Sequence, residues 1–111
     1  MGFSLFLLLV CPKGFTLPTS SDYSSLTTTY NITNNSTGST KLRQSPLAFV
    51  YAGYYDYRSG SLGNVGSYGD YWSRTALSGS SAYDLFFLSS GVFPQYDDYR
   101  GFGFALRCVG R

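Results

Sequence analysis

Residues 82–88, Ala-Tyr-Asp-Leu-Phe-Phe-Leu, carry the β-strand pattern around which the rest of the fold is predicted. Successive side chains of a β-strand point to opposite faces, so this run would place alternate residues on two different surfaces. We therefore predict a β-strand over residues 82–88. Its two faces would carry Tyr83, Leu85 and Phe87, and Asp84, Phe86 and Leu88, respectively.

Two further strands are predicted, one on each side of this stretch. The first covers residues 71–75 and contains Trp72, which we expect in the core because large aromatic side chains dominate core energetics. The second covers residues 102–109 and alternates strictly between two faces. We expect Phe104 and Leu106 to be core residues there. Its apolar face would carry Phe102, Phe104, Leu106 and Cys108.

The first half of the chain contains a helix signal followed by loops. Thr19 with Asp22 three residues later is a capping box in which Asp replaces the usual Glu, so a helix is predicted to begin near Ser20. Its inner face would carry Tyr23, Leu26 and Tyr30. Residues 31–40 are almost entirely polar and predict a loop. An extended segment (46–52) and a Tyr-rich loop beginning at residue 53 would follow.

The aromatic content is unusually high for a domain of this size. The 111 residues suffice for one domain, and 11 Tyr, 9 Phe and one Trp are more rings than its core can hide. Only 13% of residues are charged, so the surface must be rich in Tyr, Ser, Thr, Gly and Asn. Such a surface is typical of antibody paratopes and favours ligand binding. The alternative is a β-rich domain that uses Tyr for its strand propensity.

Several function classes are disfavoured by charge and composition. A net charge of +2 without a basic run argues against a nucleic-acid partner. The absence of His excludes a His-dependent triad or zinc site. Asp97 and Asp98 would point to opposite faces of an extended segment, which makes them a poor acid/base pair. They could contribute to a weak calcium site, but too few other acids lie nearby in sequence to complete its shell. We predict no enzymatic activity, no metal and no cofactor.

The two cysteines and the first ten residues are relevant to whether the protein is exported or cytosolic. Cys11 and Cys108 do not match a zinc or CxxC motif. In an exported protein they would form one disulfide, which would stabilise the fold by up to ~4.7 kcal/mol. In a cytosolic protein they would be two free buried thiols.

Residues 1–10 are apolar, but the segment is too short to span a bilayer and is a poor signal peptide. We expect an apolar leader or truncated first strand there, an export signal further upstream, and no membrane span.

Four motifs occur in a fixed order along the chain. They are Cys-Pro-Lys-Gly-Phe-Thr-Leu-Pro-Thr (11–19), Gly-Asp-Tyr-Trp-Ser (69–73), Ala-Tyr-Asp-Leu (82–85) and Gly-Phe-Ala-Leu-Arg-Cys-Val (103–109). By these motifs the chain resembles the Fibrobacter succinogenes major paralogous domain family of bacterial surface proteins. The resemblance covers residues 11–109, and the chain would be a single domain over residues 11–111. Phe15 stands where family members often have Trp.

The resemblance implies an α+β, C-type-lectin-like fold with one or two short helices on small antiparallel β-sheets and long loops. It also implies that the first and last strands lie side by side, which suits a Cys11–Cys108 bridge. The calcium-dependent sugar motifs of true C-type lectins are absent, so calcium-dependent sugar binding is not implied. The copper-binding cysteine pair of formylglycine-generating enzymes has no counterpart.

Similar domains include diversified recognition proteins, and residues 95–100 occupy the place where those proteins vary. Tyr and Arg are also the residue types enriched at binding hot spots. We expect a monomeric, extracellular or cell-surface module that binds a protein or glycan through two loop clusters. A passive structural module of a bacterial surface protein is the alternative. The expected ligand-binding residues are Tyr54, Tyr55, Tyr57, Arg58, Tyr96, Asp97, Tyr99 and Arg100.

Overall fold

The computed structural model describes residues 11–110, so the prediction for residues 1–10 lies outside the described part of the chain. Two helices and three small antiparallel sheets make up an α+β domain, which confirms the predicted class. In chain order the elements are β1 (Phe15–Thr16), α1 (Ser20–Thr29), α2 (Ser36–Arg43), β2 (Tyr54–Asp56), β3 (Ser61–Gly63), β4 (Tyr68–Ala76), β5 (Ser81–Leu88), β6 (Gly91–Tyr99) and β7 (Val109–Gly110).

The largest sheet is a three-stranded meander in the order β4-β5-β6. Tyr71 is paired with Leu85, and Phe87 with Val92, so these apolar side chains share one face. Both strands predicted over residues 71–75 and 82–88 are therefore confirmed as parts of β4 and β5. This face packs against the helices and the segment after α2, because only there can it be removed from water.

The hydrophobic core lies between this sheet face and the two helices. Leu42, Leu85 and Phe87 are fully buried, and each such side chain stabilises the fold by about 1.5–3 kcal/mol relative to an exposed one. Phe49 packs its ring edge-on against Tyr71, with 4.9 Å between ring centroids. The buried core consists of Tyr23, Ile32, Leu42, Leu47, Phe49, Tyr71, Leu85, Phe87 and Val92.

Helix α1 begins where the capping box predicts. The Thr19 hydroxyl accepts a hydrogen bond from the Asp22 amide (3.0 Å), and the Asp22 carboxylate accepts one from the Thr19 amide (2.8 Å). Tyr23 is buried, and its hydroxyl donates to the Trp72 carbonyl at 2.9 Å, which ties the helix to β4. Leu26 packs against the core as predicted, whereas Tyr30 is the C-terminal cap and is exposed.

The prediction of a loop over residues 31–40 is confirmed for residues 31–35 and wrong for residues 36–40, which form the first part of α2. Its amino acids are poor helix formers, but the Asn35 side chain caps the helix by accepting from the Gly38 amide at 2.9 Å. Leu42 is fully buried on the core side and supplies the packing energy. Tertiary packing here overrides weak helix propensity.

Strand β6 was not predicted; residues 95–100 were expected to be a loop before the last strand. Pro94 lies within β6, where an interior strand would lose a ladder hydrogen bond. Two features accommodate it: β6 is at the edge of the sheet, and its register with β5 shifts between the Asp84–Tyr96 and Phe86–Phe93 pairs. A β-bulge at this point lets a proline stay within a strand.

The strand predicted over residues 102–109 is also wrong for most of its length. Gly103 exchanges two backbone hydrogen bonds with Tyr55 of β2 (2.8 and 3.0 Å), and Ala105 forms a parallel bridge to Tyr71 of β4. The segment thus changes partners within two residues and forms no continuous ladder. Only Val109–Gly110 at its end is a strand.

The two ends of the described chain meet. Strands β1 and β7 are antiparallel neighbours, with Thr16 opposite Val109. Cys11 and Cys108 form the expected disulfide, with 5.8 Å between their Cα atoms. Among the described residues, neither helix has the length and apolar composition needed to cross a membrane.

Gly69 is predicted to be essential to the packing of the central sheet. A Cβ at this position would overlap the ring of buried Phe87, so Gly69→Ala should lower the free energy of unfolding by roughly 1–3 kcal/mol, as overpacking does. Gly79→Ala is the matched control, because a Cβ there meets no atom within 4 Å. Equal urea midpoints for the two variants would contradict this packing.

The disulfide is predicted to contribute substantially to stability because it joins residues 97 positions apart. Replacing both cysteines with serine should lower the free energy of unfolding by roughly 2–5 kcal/mol, chiefly by releasing the unfolded chain. Urea denaturation of the oxidised protein and of the double variant checks this. An unchanged midpoint would show that the bridge constrains neither state.

Candidate functional site

The face of the central sheet opposite the core carries three carboxylates. Asp70 of β4 lies opposite Phe86, and Asp84 of β5 lies opposite Trp72. Asp98 of β6 lies opposite Ala82, two residues along β5 from Asp84. Since residues two apart on a strand share a face, all three acids point to the same side.

These three carboxylates form one compact, buried cluster. One oxygen from each of Asp70, Asp84 and Asp98 lies within 4.8 Å of the other two. Asp84 is completely buried and Asp70 is 4% exposed. Among the described residues, no group outside the cluster donates a hydrogen bond to either oxygen of Asp84 or to Oδ2 of Asp70. Buried carboxylates without donors are rare and costly, so this cluster calls for an explanation.

Burial and mutual repulsion disfavour the ionised forms of the cluster. Burial, and then the charge of Asp98, raises the pKa of Asp70 to about 7. Burial, followed by the charge of Asp98, raises the pKa of Asp84 to about 9. Burial also raises the pKa of Asp98, although a hydrogen bond with Asp84 partly opposes that rise. Such a bond exists only while the pair retains a proton.

A pocket of about 160 Å³ opens above two of these carboxylates. Asp70 and Asp98 contribute to its lining, and Arg58 is the basic residue of its wall. The remaining wall is aromatic, contributed by β2, β4, β5, β6 and the C-terminal segment. The rings are Tyr54, Tyr68, Phe86, Tyr96, Phe102 and Phe104.

Ring contacts and hydrogen bonds hold the pocket wall in place. Phe86 packs against Tyr96 and Tyr68, with centroids 5.0 and 5.1 Å apart. The Tyr54 ring lies edge-on to Phe102 at 5.8 Å. Contacts of this kind fix ring orientation, so the wall is ordered before any ligand arrives.

Arg58 is held by its neighbour Asp56. Its Nε and Nη2 donate to the two carboxylate oxygens at 3.0 Å each, and its guanidinium lies 5.0 Å from the Phe102 ring centroid. Hydrogen bonds from Arg58 lower the pKa of Asp56. Arg58 is thus oriented by Asp56 rather than by the buried carboxylates.

No protein-family model, curated protein or solved structure matches this chain.

Three of the sequence-predicted binding residues meet at the pocket: Tyr54 and Arg58 from the first cluster, and Tyr96 from the second. Tyr55 and Tyr57 lie outside its lining, although Tyr57 packs against Phe102 at 5.3 Å. The two clusters are not loops in the main, since Tyr54 and Tyr55 belong to β2 and Tyr96 to β6. A short turn carries Tyr57 and Arg58.

The other residues of the second cluster lie apart from the pocket. Asp97 is exposed and opposite Tyr83, on the other face of β6 from Asp98. Tyr99 is exposed at the end of β6. Arg100 donates to the Ser78 carbonyl at 2.8 Å and so contacts the β4–β5 turn.

Two of the three residues predicted for the core, Trp72 and Phe104, lie on the pocket face instead. Trp72 and Phe104 are partly buried and pack against each other, with centroids 4.3 Å apart. Leu106 is 46% exposed, so its prediction as a core residue is wrong. The reason is that residues 102–109 lack the regular strand ladder on which the predicted alternation depended.

Sequence reasoning missed the carboxylate cluster altogether. Asp84 was placed on the same face of its strand as Phe86 and Leu88 and given no role, and Asp70 was noted only as part of a motif. The available signal was that each acid occupies the non-core face of its own strand. Using that signal requires knowing that residues 91–99 form a strand and how the three strands align. Pro94 makes this strand hard to predict, because proline is rare within strands.

Two kinds of chemistry are open to this arrangement. Three carboxylates that converge on one point provide the oxygen ligands that hard metal ions prefer. The ring-lined wall above them provides rigid apolar surface and phenol hydroxyls, which suit recognition of a group inserted from outside.

The raised carboxyl pKa values predict that stability falls as pH rises when EDTA is present. In the unfolded chain these groups titrate near 3.8, so the folded protein binds their protons more tightly. The stabilisation is complete below that value and is lost as pH rises through about 7 and about 9. Thermal unfolding midpoints between pH 5 and pH 9 measure it.

Asp84→Asn should flatten this pH profile and raise the midpoint at pH 8.5, because a neutral amide replaces the most buried carboxylate. Asp97→Asn is the control: it removes an exposed acid next to the cluster and should leave most of the profile in place. A wild-type midpoint independent of pH between 5 and 9 would contradict the raised pKa values.

Proposed function

We propose that this chain is an extracellular or cell-surface ligand-binding module whose binding site is the pocket on the acidic face of the central sheet. The observation that carries the proposal is the pocket wall of six rings with Arg58 at its side and two carboxylates in its lining. Tyr and Arg are enriched at binding hot spots, and rigid rings lose little entropy on binding.

The pocket favours a single protruding group as its ligand. Its volume of about 160 Å³ is smaller than the roughly 300–1,000 Å³ of sites for whole drug-sized molecules. One amino-acid side chain or one sugar unit of a larger molecule fits this size. The proposed ligand is therefore a protein or glycan, contacted further by exposed tyrosines nearby. Those tyrosines are Tyr96, which lines the pocket, and Tyr57, which packs against the lining residue Phe102.

Pre-organisation of the wall supports binding. The Tyr54 hydroxyl accepts a hydrogen bond from the Asn64 amide nitrogen at 3.1 Å, and Asp56 orients Arg58. Side chains that are already fixed lose less freedom when a ligand arrives. The pocket thus has the properties of a recognition site rather than of a surface that must rearrange.

A binding role is favoured over glycoside hydrolysis even though the sheet brings carboxylates together. Hydrolytic pairs flank a bond from opposite sides, about 5–5.5 Å or about 6.5–9.5 Å apart. Here the three acids converge within 4.8 Å on one side, and Asp84 is completely buried. Acids gathered on one side, with only Asp70 and Asp98 in the pocket lining, do not resemble a pair that flanks a bond from opposite sides.

The family resemblance and the disulfide support an extracellular location as part of the proposal. Disulfides persist in oxidising compartments, and Cys11–Cys108 links both ends of the described chain. Membership of the Fibrobacter-type family and a C-type-lectin-like fold are proposed on the four sequence motifs. The resemblance implies that the first and last strands lie side by side, and the pairing of β1 with β7 agrees with this.

The proposal predicts that pocket tyrosines dominate binding. Arrays of surface glycans and of host extracellular proteins first identify binders of the parent protein. Tyr54→Ala and Tyr96→Ala should each weaken those binders by about 2 kcal/mol, roughly thirtyfold, as removal of a hot-spot ring does. Titration of the selected binder measures the loss.

Tyr30→Ala is the matched control, since Tyr30 is comparably exposed but caps α1, outside the pocket lining. Unchanged affinity in both pocket variants would place the site elsewhere. Absence of any binder for the parent protein, on arrays that detect known lectins and receptors, would instead favour a passive structural module.

A further inference from the structure

The carboxylate cluster has the dimensions of a site for one metal ion. Calcium–oxygen distances of about 2.3–2.6 Å place ligand oxygens on opposite sides of an ion about 5 Å apart. The chosen oxygens of Asp70, Asp84 and Asp98 are all within 4.8 Å of one another. A single ion can therefore contact all three carboxylates without movement of the strands that carry them.

The missing hydrogen-bond donors point independently to a cation. Asp84 is completely buried, and among the described residues no group outside the cluster donates a hydrogen bond to either of its oxygens. Within the described part of the chain, the ion pair that is formed joins Arg58 to Asp56, and none involves the cluster. Buried carboxylates are ordinarily paired or coordinate a metal.

The position of Asp84 favours a small ion over a larger ligand as the group that binds all three carboxylates. Asp84 is absent from the pocket lining, whereas Asp70 and Asp98 are part of it. A ligand group seated in the pocket can thus reach two of the acids but not the third. A bare ion between the carboxylates reaches all three.

We infer that Asp70, Asp84 and Asp98 bind one hard divalent cation of the calcium, magnesium or manganese class. Their donors are exclusively oxygens, which these ions prefer, whereas softer metals select nitrogen and sulfur. The chain contains no His, and both of its cysteines form the disulfide. This proposal departs from the sequence-based expectation of no metal.

The pocket supplies both an entry path and the remaining coordination positions. Calcium takes about 6–8 oxygen ligands, and three carboxylates provide only part of this number. Water, or an oxygen of a bound ligand, would approach from the pocket side, next to Asp70 and Asp98. Ion binding does not depend on the proposed function, because it is measured without any ligand.

The test titrates the EDTA-treated, oxidised domain with Ca²⁺, Mg²⁺ and Mn²⁺ at pH 7.5 by calorimetry and thermal unfolding. At least one ion should bind with a stoichiometry of one and raise the unfolding midpoint. Asp84→Asn should weaken binding at least about tenfold, because the loss of outer-shell partners alone costs about 10–100-fold. Asp97→Asn, on the same strand as Asp98, should bind as the wild type does.

A second readout covers the case in which Asp84→Asn fails to fold. Tb³⁺ is a hard ion that emits when a nearby indole or phenol is excited, and Trp72 lies opposite Asp84 in the sheet. Wild type should show sensitised emission that Ca²⁺ abolishes, and Asp98→Asn should show far less.

Two outcomes would overturn the proposal. One is the absence of binding and of emission at millimolar ion, which would mean that shared protons alone neutralise the cluster. The other is equal ion binding by the wild type, Asp97→Asn and the folded cluster variants, which would assign the ion to the general surface. Neither outcome bears on the array experiment, so this inference and the proposed function fail separately.

Discussion

The lateral register of β4, β5 and β6 is the constraint on which both the core and the pocket depend. Tyr71, Leu85 and Phe87 point to the helices, and Asp70, Asp84 and Asp98 point to the opposite side. Because side chains alternate, a slip of one residue in a strand would exchange these two sets. A carboxylate would then lie in the apolar core, at a cost of several kcal/mol. The hydrophobic effect therefore selects the register that gathers the acids.

Local features fix that register and attach the pocket wall to it. Gly69 lets the Phe87 ring lie close against β4, which a side chain at that position would prevent. The β-bulge at Pro94 keeps both Phe93 and Tyr96 on the pocket face, where each packs against Phe86. The C-terminal segment joins the two sheets, because Gly103 bonds to β2 and Ala105 to β4. The wall is thus built from elements that the core already holds in place.

Sequence patterns predicted those elements whose signal is local. The capping box gave the start of α1, and the alternation in residues 82–88 gave β5, because hydrogen bonds or packing of those residues alone create the pattern. Helix α2 and strand β6 were missed, since burial of Leu42 and the bulge at Pro94 are tertiary events. Tyr54, Arg58 and Tyr96, which were expected to bind ligand from residue type alone, do line the pocket. The carboxylate cluster was not predicted, because it depends on how three strands are aligned, and periodicity along one strand contains no such information.

Burying three carboxylates together destabilises the folded state, and the position of the cluster suggests why they are there. Replacing buried charges with apolar side chains often leaves a protein as stable or makes it more stable, so packing alone does not require acids at these positions. A passive module would need only the core on the helix side of the sheet. Here the carboxylates lie under a ring-walled pocket, and Asp70 and Asp98 contribute to its lining whereas Asp84 does not. An arriving cation would relieve the repulsion between them, and the same pocket would admit a ligand group to that cation. The proposed cation would therefore couple the stability of this face to binding, because a ligand that binds only the folded state stabilises it.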